Sequence, residues 1–137
     1  MADQVKFELV SPERLLLSTD VDSVVIPGAE GDFGVLPGHA PLISTVRPGV
    51  LEVFQGNKAE QRFLVVGGFA EVTPQGCTVL AEHATPVAEI AREQAAQAVQ
   101  DAKEDIADSK DEAAKAEAAR TLTVAEARLH AVEAPTY

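Results

Sequence analysis

The sequence predicts two structural classes in one chain: an all-β body over residues 1–85 and an antiparallel α-helical hairpin over residues 86–137. Three observations carry this. All nine glycines lie at or before Gly76, and all five phenylalanines at or before Phe69. From Pro86 onward there is no glycine, and 16 of 52 residues are alanine, the strongest helix former. At the same boundary the spacing of apolar residues changes from two to three and four.

Period two begins at once. In "VKFELV" (5–10), Val5, Phe7 and Leu9 share one face against Lys6 and Glu8. "DSVVIP" (22–27), "GVLEVFQ" (49–55), "EQRFLVV" (60–66), "FAEVTP" (69–74) and "CTVLAE" (77–82) follow, rich in β-branched and aromatic residues. Turn signals stand between them: "QGNK" at 55–58, and "TPQG" at 73–76 with proline second and glycine fourth, a type I pattern. Many short strands with frequent turns indicate an antiparallel sandwich or barrel.

The helical part starts with Thr85 as an expected N-cap and Pro86 at the first helical position, where its missing N–H costs nothing. Val87, Ala91, Ala95, Ala98, Ala102 and Ile106 make one stripe. Ser109, with Glu112 three residues on, reads as a capping box that opens a second helix. Ala114, Ala118, Leu122, Ala125, Leu129 and Val132 form its stripe, and Pro135 ends it. Alanine buries little area, so this hairpin must lie on the β body or on another chain, and weak docking makes it a candidate moving part.

A net charge of −11 argues against nucleic acid and anionic lipid, so membrane association would run through protein partners. No apolar run approaches the roughly 18 residues of a membrane span, and no signal peptide is visible at the start. The expectation is a protein that stays in the compartment where it is made. The single cysteine, Cys77, lies in an alternating strand and reads as packing.

Little chemistry is encoded. "DFG" at 32–34 lacks every other kinase element. The glycines of "EGDFGVLPGHAPL" (30–42) have no accompanying lysine and lead into no helix, so no phosphate cradle results. His39, His83 and His130 show no ligand spacing, and no metal site is expected. His39, between Gly38 and Pro41, suits a turn histidine bonded to backbone. No nucleophile has a histidine and an acid arranged with it, so no catalytic residue is assigned. What remains for residues 30–42 is a stiff surface device: glycines bend it, prolines stiffen it, and Glu30 and Asp32 project from it.

"GAEGDFGVLPGHAPLI" (28–43), with "VRPGVLEV" (46–53), "FLVVGGFAEV" (63–72) and "CTVLAEHA" (77–84), closely resembles the epsilon subunits of bacterial F-type ATP synthases. The likeness covers essentially the whole chain; "LPGHAPL" at 36–42 with Gly67 and Gly68 is specific in combination. The resemblance implies a ten-stranded antiparallel β-sandwich of two sheets followed by a helix-turn-helix. It implies a non-catalytic rotor subunit that binds the gamma subunit and the c-ring and couples proton flow to ATP synthesis. Its place would be peripheral, on the cytoplasmic face of the bacterial inner membrane. By the same resemblance Glu30, Gly31 and Asp32 face the c-ring, and His39, Pro41 and Leu42 lie at the gamma contact. A stand-alone nucleotide sensor or ligand-binding β-sandwich is the competing class; a ligand module would need an aromatic platform, and there is no tryptophan and one tyrosine.

The chain departs from the family in its hairpin. Family members inhibit ATP hydrolysis by setting basic residues of the last helix against the alpha and beta catalytic subunits. Here Lys115, Arg120 and Arg128 are outnumbered by Glu112, Glu117, Glu126 and Glu133, so little electrostatic gain is expected. Some members hold ATP through an Asp-x-x-Arg pattern. "EIAR", with Glu89 and Arg92, matches it in part, and Val99 stands where another arginine is expected. A helical ion pair between Glu89 and Arg92, a weak nucleotide site at most, and no cofactor are the expectation.

Overall fold

A computed structural model of the chain describes residues 4–133. Eight strands form one hydrogen-bonded sheet: β1 (Val5–Val10), β2 (Leu15–Val21), β3 (Ser23–Gly28), β4 (Gly31–Val35), β5 (Leu42–Thr45), β6 (Gly49–Gln55), β7 (Lys58–Thr73) and β8 (Gly76–Pro86). The order across the sheet is β2-β1-β8-β7-β6-β3-β4, with β5 also on β7. A 3-10 turn at Val87–Glu89 leads to α1 (Arg92–Asp108) and α2 (Glu112–Glu133).

Alternation decides the core. Val5, Phe7 and Leu9 of β1 are buried as their spacing requires, and Lys6 between the first two is exposed. Ile26, Val35, Leu51, Val53, Phe63, Val65, Val72 and Val79 join them in one cluster to which nearly every strand contributes. Each large side chain withdrawn from water contributes about 2 kcal/mol, so this cluster is the main stabilising element of the body. Cys77 belongs to it, and burial pushes its thiol up to about 12, which keeps it protonated and unreactive.

Two features differ from the expected ten-stranded antiparallel sandwich. The strands number eight in one sheet, seven along the main path with β5 branching from β7, and β1 pairs with β8 in parallel. Segments 60–66 and 69–74, read as two strands, are one strand of 16 residues. Gly67 (φ 70°) and Gly68 (φ 100°) bend β7 without ending it, because its pairing to β8 resumes with the same register beyond them. On its other edge the first half of β7 pairs with β6 and the second half with β5. Period-two reading also passed over β2, β4 and β5; "GDFGV" is strand, and the turn proper is residues 36–41.

The helices start and stop differently from the sequence expectation. Thr85 and Pro86 pair with Leu64 and Phe63 at the end of β8, so they cap nothing; α1 begins at Arg92. Ser109 closes α1, donating from Oγ to Asp105 O at 2.5 Å. Asp111 opens α2, its Oδ1 accepting from the Ala114 N–H at 2.7 Å. Aspartate wins because it stands immediately before the helix, whereas Ser109 is still inside the turn. The stripe holds at Ala95, Ala102, Ala118 and Ala125, but Val99 and Ala131 are buried where Ala98 and Ala114 are exposed. Pro135 lies outside the described residues. The two helices pack on each other, and α2 lies on β6 and β7.

Candidate functional site

Two surfaces stand out, and both come from the glycine- and proline-rich stretch and its neighbours. The first is the β3–β4 hairpin. Gly28 and Gly31 pair across a two-residue turn whose outer member is Glu30. Gly31 has φ 135°, a backbone that side chains disfavour. At Gly28 a Cβ would lie 2.9 Å from Gly31 O and from the Phe33 ring, so this turn closes only on glycine. Glu30 is exposed at its tip.

Asp32 does not project freely, contrary to the sequence expectation. It lies on β4, and Arg47 Nη2 donates to its Oδ1 at 2.5 Å while Nη1 donates to Gly28 O at 2.6 Å. One arginine thus braces both ends of the turn and neutralises one of its two acids. The signal, Arg47 in "VRPGV", was in the sequence, but its contact spans fifteen residues.

The second surface is apolar. The turn at 36–41 closes through the His39 N–H to Leu36 O (3.1 Å) and carries Gly38 at φ 78°. His39 Nδ1 lies 2.6 Å from Ala40 O, a backbone-bonded turn histidine whose Nδ1 carries the proton. Pro41 is exposed, and so is Leu42 where β5 begins. Beside them Leu36 is 64% and Ile43 71% exposed. The register extends this patch: Phe69 pairs with Leu80, Leu80 with Val10, and Val10 with Leu15. Phe69, Leu80 and Leu15 are all exposed, giving an apolar row across four strands on the outer face. Sequence reading found no aromatic platform and missed this row. The signal was parity, since Phe69 alternates with core Ala70 and Val72 and so belongs outside with Glu71.

Glu89 and Arg92 are not brought together as an ion pair. The extended backbone at Ala91 (ψ 120°) breaks helical phase between them. Arg92 instead donates from Nη2 to Glu133 Oε2 at 2.7 Å, clasping the start of α1 to the end of α2. On α2, Arg120 is held by Glu117 at 2.6 Å, which leaves that helix even less cationic. Among the described residues no group of three His, Cys, Asp or Glu side chains converges as a metal site would require, and no helix is long and apolar enough to cross a membrane.

Known proteins resemble this chain in sequence and in fold. A family profile described as the ATP synthase delta/epsilon chain β-sandwich domain matches residues 4–87. The ATP synthase epsilon chain of Rhodospirillum rubrum is 51% identical over 131 residues, 96% of this chain and 98% of that one. That of Paramagnetospirillum magneticum is 52% identical over 132 residues, 96% and 99% of the two chains. Among solved structures, a chain in the cryo-EM structure of Euglena gracilis mitochondrial ATP synthase superposes with a TM-score of 0.82 at 28% identity, over 90% of this chain and 78% of that one.

Proposed function

The chain belongs to the ATP synthase delta/epsilon family, and from that premise we propose how its two surfaces serve a non-catalytic subunit of the central stalk. In this reading the chain links the gamma subunit to the c-ring and so couples proton transport to ATP synthesis. The observation that carries it is the apolar row beside the braced acidic turn: two binding surfaces on one stiff sheet, as a part that transmits torque requires. His39, Pro41 and Leu42, with Ile43, Phe69 and Leu80 beside them, take the gamma subunit, because apolar burial is what sustains a persistent interface. Glu30, Gly31 and Asp32 take the c-ring.

We read the body as the two-layer sandwich of its family: β7 and β8, each counted as two strands about the bend, make ten of the eight. Residues 1–85 then hold the rotor partners, and residues 86–137 form the regulatory hairpin that faces the alpha and beta subunits. The chain sits peripherally at the cytoplasmic face of the bacterial inner membrane, held there by its partners. A stand-alone sensor or ligand-binding module is not favoured, since the two relatives above, which match along 96% of the chain, are epsilon chains.

Two expected results follow from the contact assignments. Glu30→Lys should weaken retention on isolated c-rings, measured by pull-down of the assembled stalk. Asp32→Lys should weaken it further, because it also breaks the Arg47 brace. Exposed pairs contribute about 1 kcal/mol or less each, so the double variant should retain several-fold less chain, and undiminished retention and coupling would remove the c-ring assignment. Arg92, committed to Glu133, is a clasp and not a phosphate ligand. Titrating the full chain with ATP should give no saturable calorimetric signal. Saturable binding that Arg92→Ala abolishes would reverse that.

A further inference from the structure

Beneath α2 the sheet carries charge where a helix seat is ordinarily apolar. Alternation in β6 sends Leu51 and Val53 into the core and Val50 and Glu52 outward. In β7 it sends Phe63 and Val65 inward and Arg62 and Leu64 outward. Yet Glu52 is only 8% exposed and Leu64 1%. The cover is α2: Thr123, Glu126, Ala127 and His130 share with Glu52 and Arg62 a cleft of about 590 Å³.

Glu52 and Arg62 stand directly opposite in the β6–β7 register. Arg62 Nε lies 3.6 Å from Glu52 Oε2, too far for a hydrogen bond, and both atoms are buried without any hydrogen-bond partner. The charged groups that face them are Asp32 and Arg47 from the sheet, already paired with each other, and Glu126 and His130 from α2. Among the described residues no ion pair or side-chain hydrogen bond joins α2 to the sheet. At Glu52 Oε2 and Arg62 Nε, docking the helix therefore removes water and returns no hydrogen-bond partner. Burial pushes the Glu52 carboxyl up, Arg62 opposes that shift in part, and Asp32 adds to it, as befits a carboxylate whose lost hydration is incompletely replaced.

We propose that the Glu52–Arg62 pair is a destabilising seat that keeps the α1–α2 hairpin only marginally docked, so that undocking, which returns both charges to water, offsets the loss of apolar contact with the sheet. Replacing a poorly satisfied buried pair by apolar groups of similar volume is commonly neutral to stabilising, whereas removing one partner strands the other. The inference concerns this chain's own packing and stands or falls apart from the rotor assignment.

Native-state hydrogen exchange on the full chain tests it, with the amides of β1 and β8 as the internal reference for an intact sheet. In Glu52→Met/Arg62→Met, hairpin amides should exchange about tenfold more slowly than in the parent. Glu52→Gln/Arg62→Gln, neutral and able to hydrogen-bond, should also slow them and decides the matter if the methionine pair disturbs the sheet. Glu52→Gln alone should speed exchange by leaving Arg62 buried and unpaired. Either double variant with parental sheet protection whose hairpin exchanges as fast as the parent's, or faster, overturns the proposal, because the pair would then be holding the helix down.

Discussion

Phe69→Asp combined with Leu80→Asp should weaken binding to the gamma subunit by about 100-fold or more, with the fold intact. These side chains sit opposite each other in the β7–β8 ladder on the outer face, 47% and 41% exposed, so the free chain loses almost no core packing when they change. In the complex they would lie at the centre of the apolar row, flanked by Val10, Leu15 and Ile43. Burying two carboxylates there without partners costs several kcal/mol, and central aromatic anchors carry a disproportionate share of interface energy. Surface plasmon resonance with immobilised gamma subunit reads the affinity, and ATP-driven proton pumping in reconstituted membranes reads the consequence. Lys58→Asp, at the far end of β7, is the control and should leave both unchanged. Parental affinity in the double variant would mean that the gamma subunit binds elsewhere.

The largest loss of stability should come from Gly68→Ala. Its φ of 100° disfavours any side chain, and an added Cβ would lie 1.9 Å from Leu80 O and 2.9 Å from Ala81 Cα. Those atoms are the backbone of the paired strand, which cannot yield without opening the ladder. Backbone strain and displacement together should cost about 3–4 kcal/mol, enough to lower Tm by roughly 10 °C in a chain of this size. Gly67→Ala is the informative comparison. There the Cβ meets only the Glu82 carboxylate, 2.8 Å away at the end of a flexible side chain. Its cost should be nearer the 1–2 kcal/mol of an unfavourable φ alone. Thermal unfolding followed by circular dichroism separates the two, and equal shifts in Tm would mean that the steric contact at Gly68 is relieved.

Much of the architecture was legible because it follows from one-dimensional facts. Alternation placed Val5, Phe7 and Leu9 in the core, alanine content marked the helices, and the loss of glycine marked where sheet gives way to helix. The acidic turn and His39's bond to backbone were legible for the same reason: each is settled within a few residues. Strands β2, β4 and β5 were not, because short or glycine-bearing segments become strands only when a neighbour offers a ladder.

Partner choice over long separations is what the sequence could not state. Arg47 braces Asp32 instead of leaving it free, Arg92 reaches Glu133 and not Glu89, and Glu52 meets Arg62 under a helix that arrives more than sixty residues later. By itself the sequence determined which residues alternate inward, where helix replaces sheet, and that acids outnumber bases on the last helix. Only the tertiary structure decided which charges are neutralised, which are buried without a partner, and that Phe69, Leu80 and Leu15 line up as one outward row. The physical reason is that propensity and periodicity act between near neighbours along the chain, whereas charge pairing, desolvation and surface continuity depend on which segments the folded sheet sets side by side.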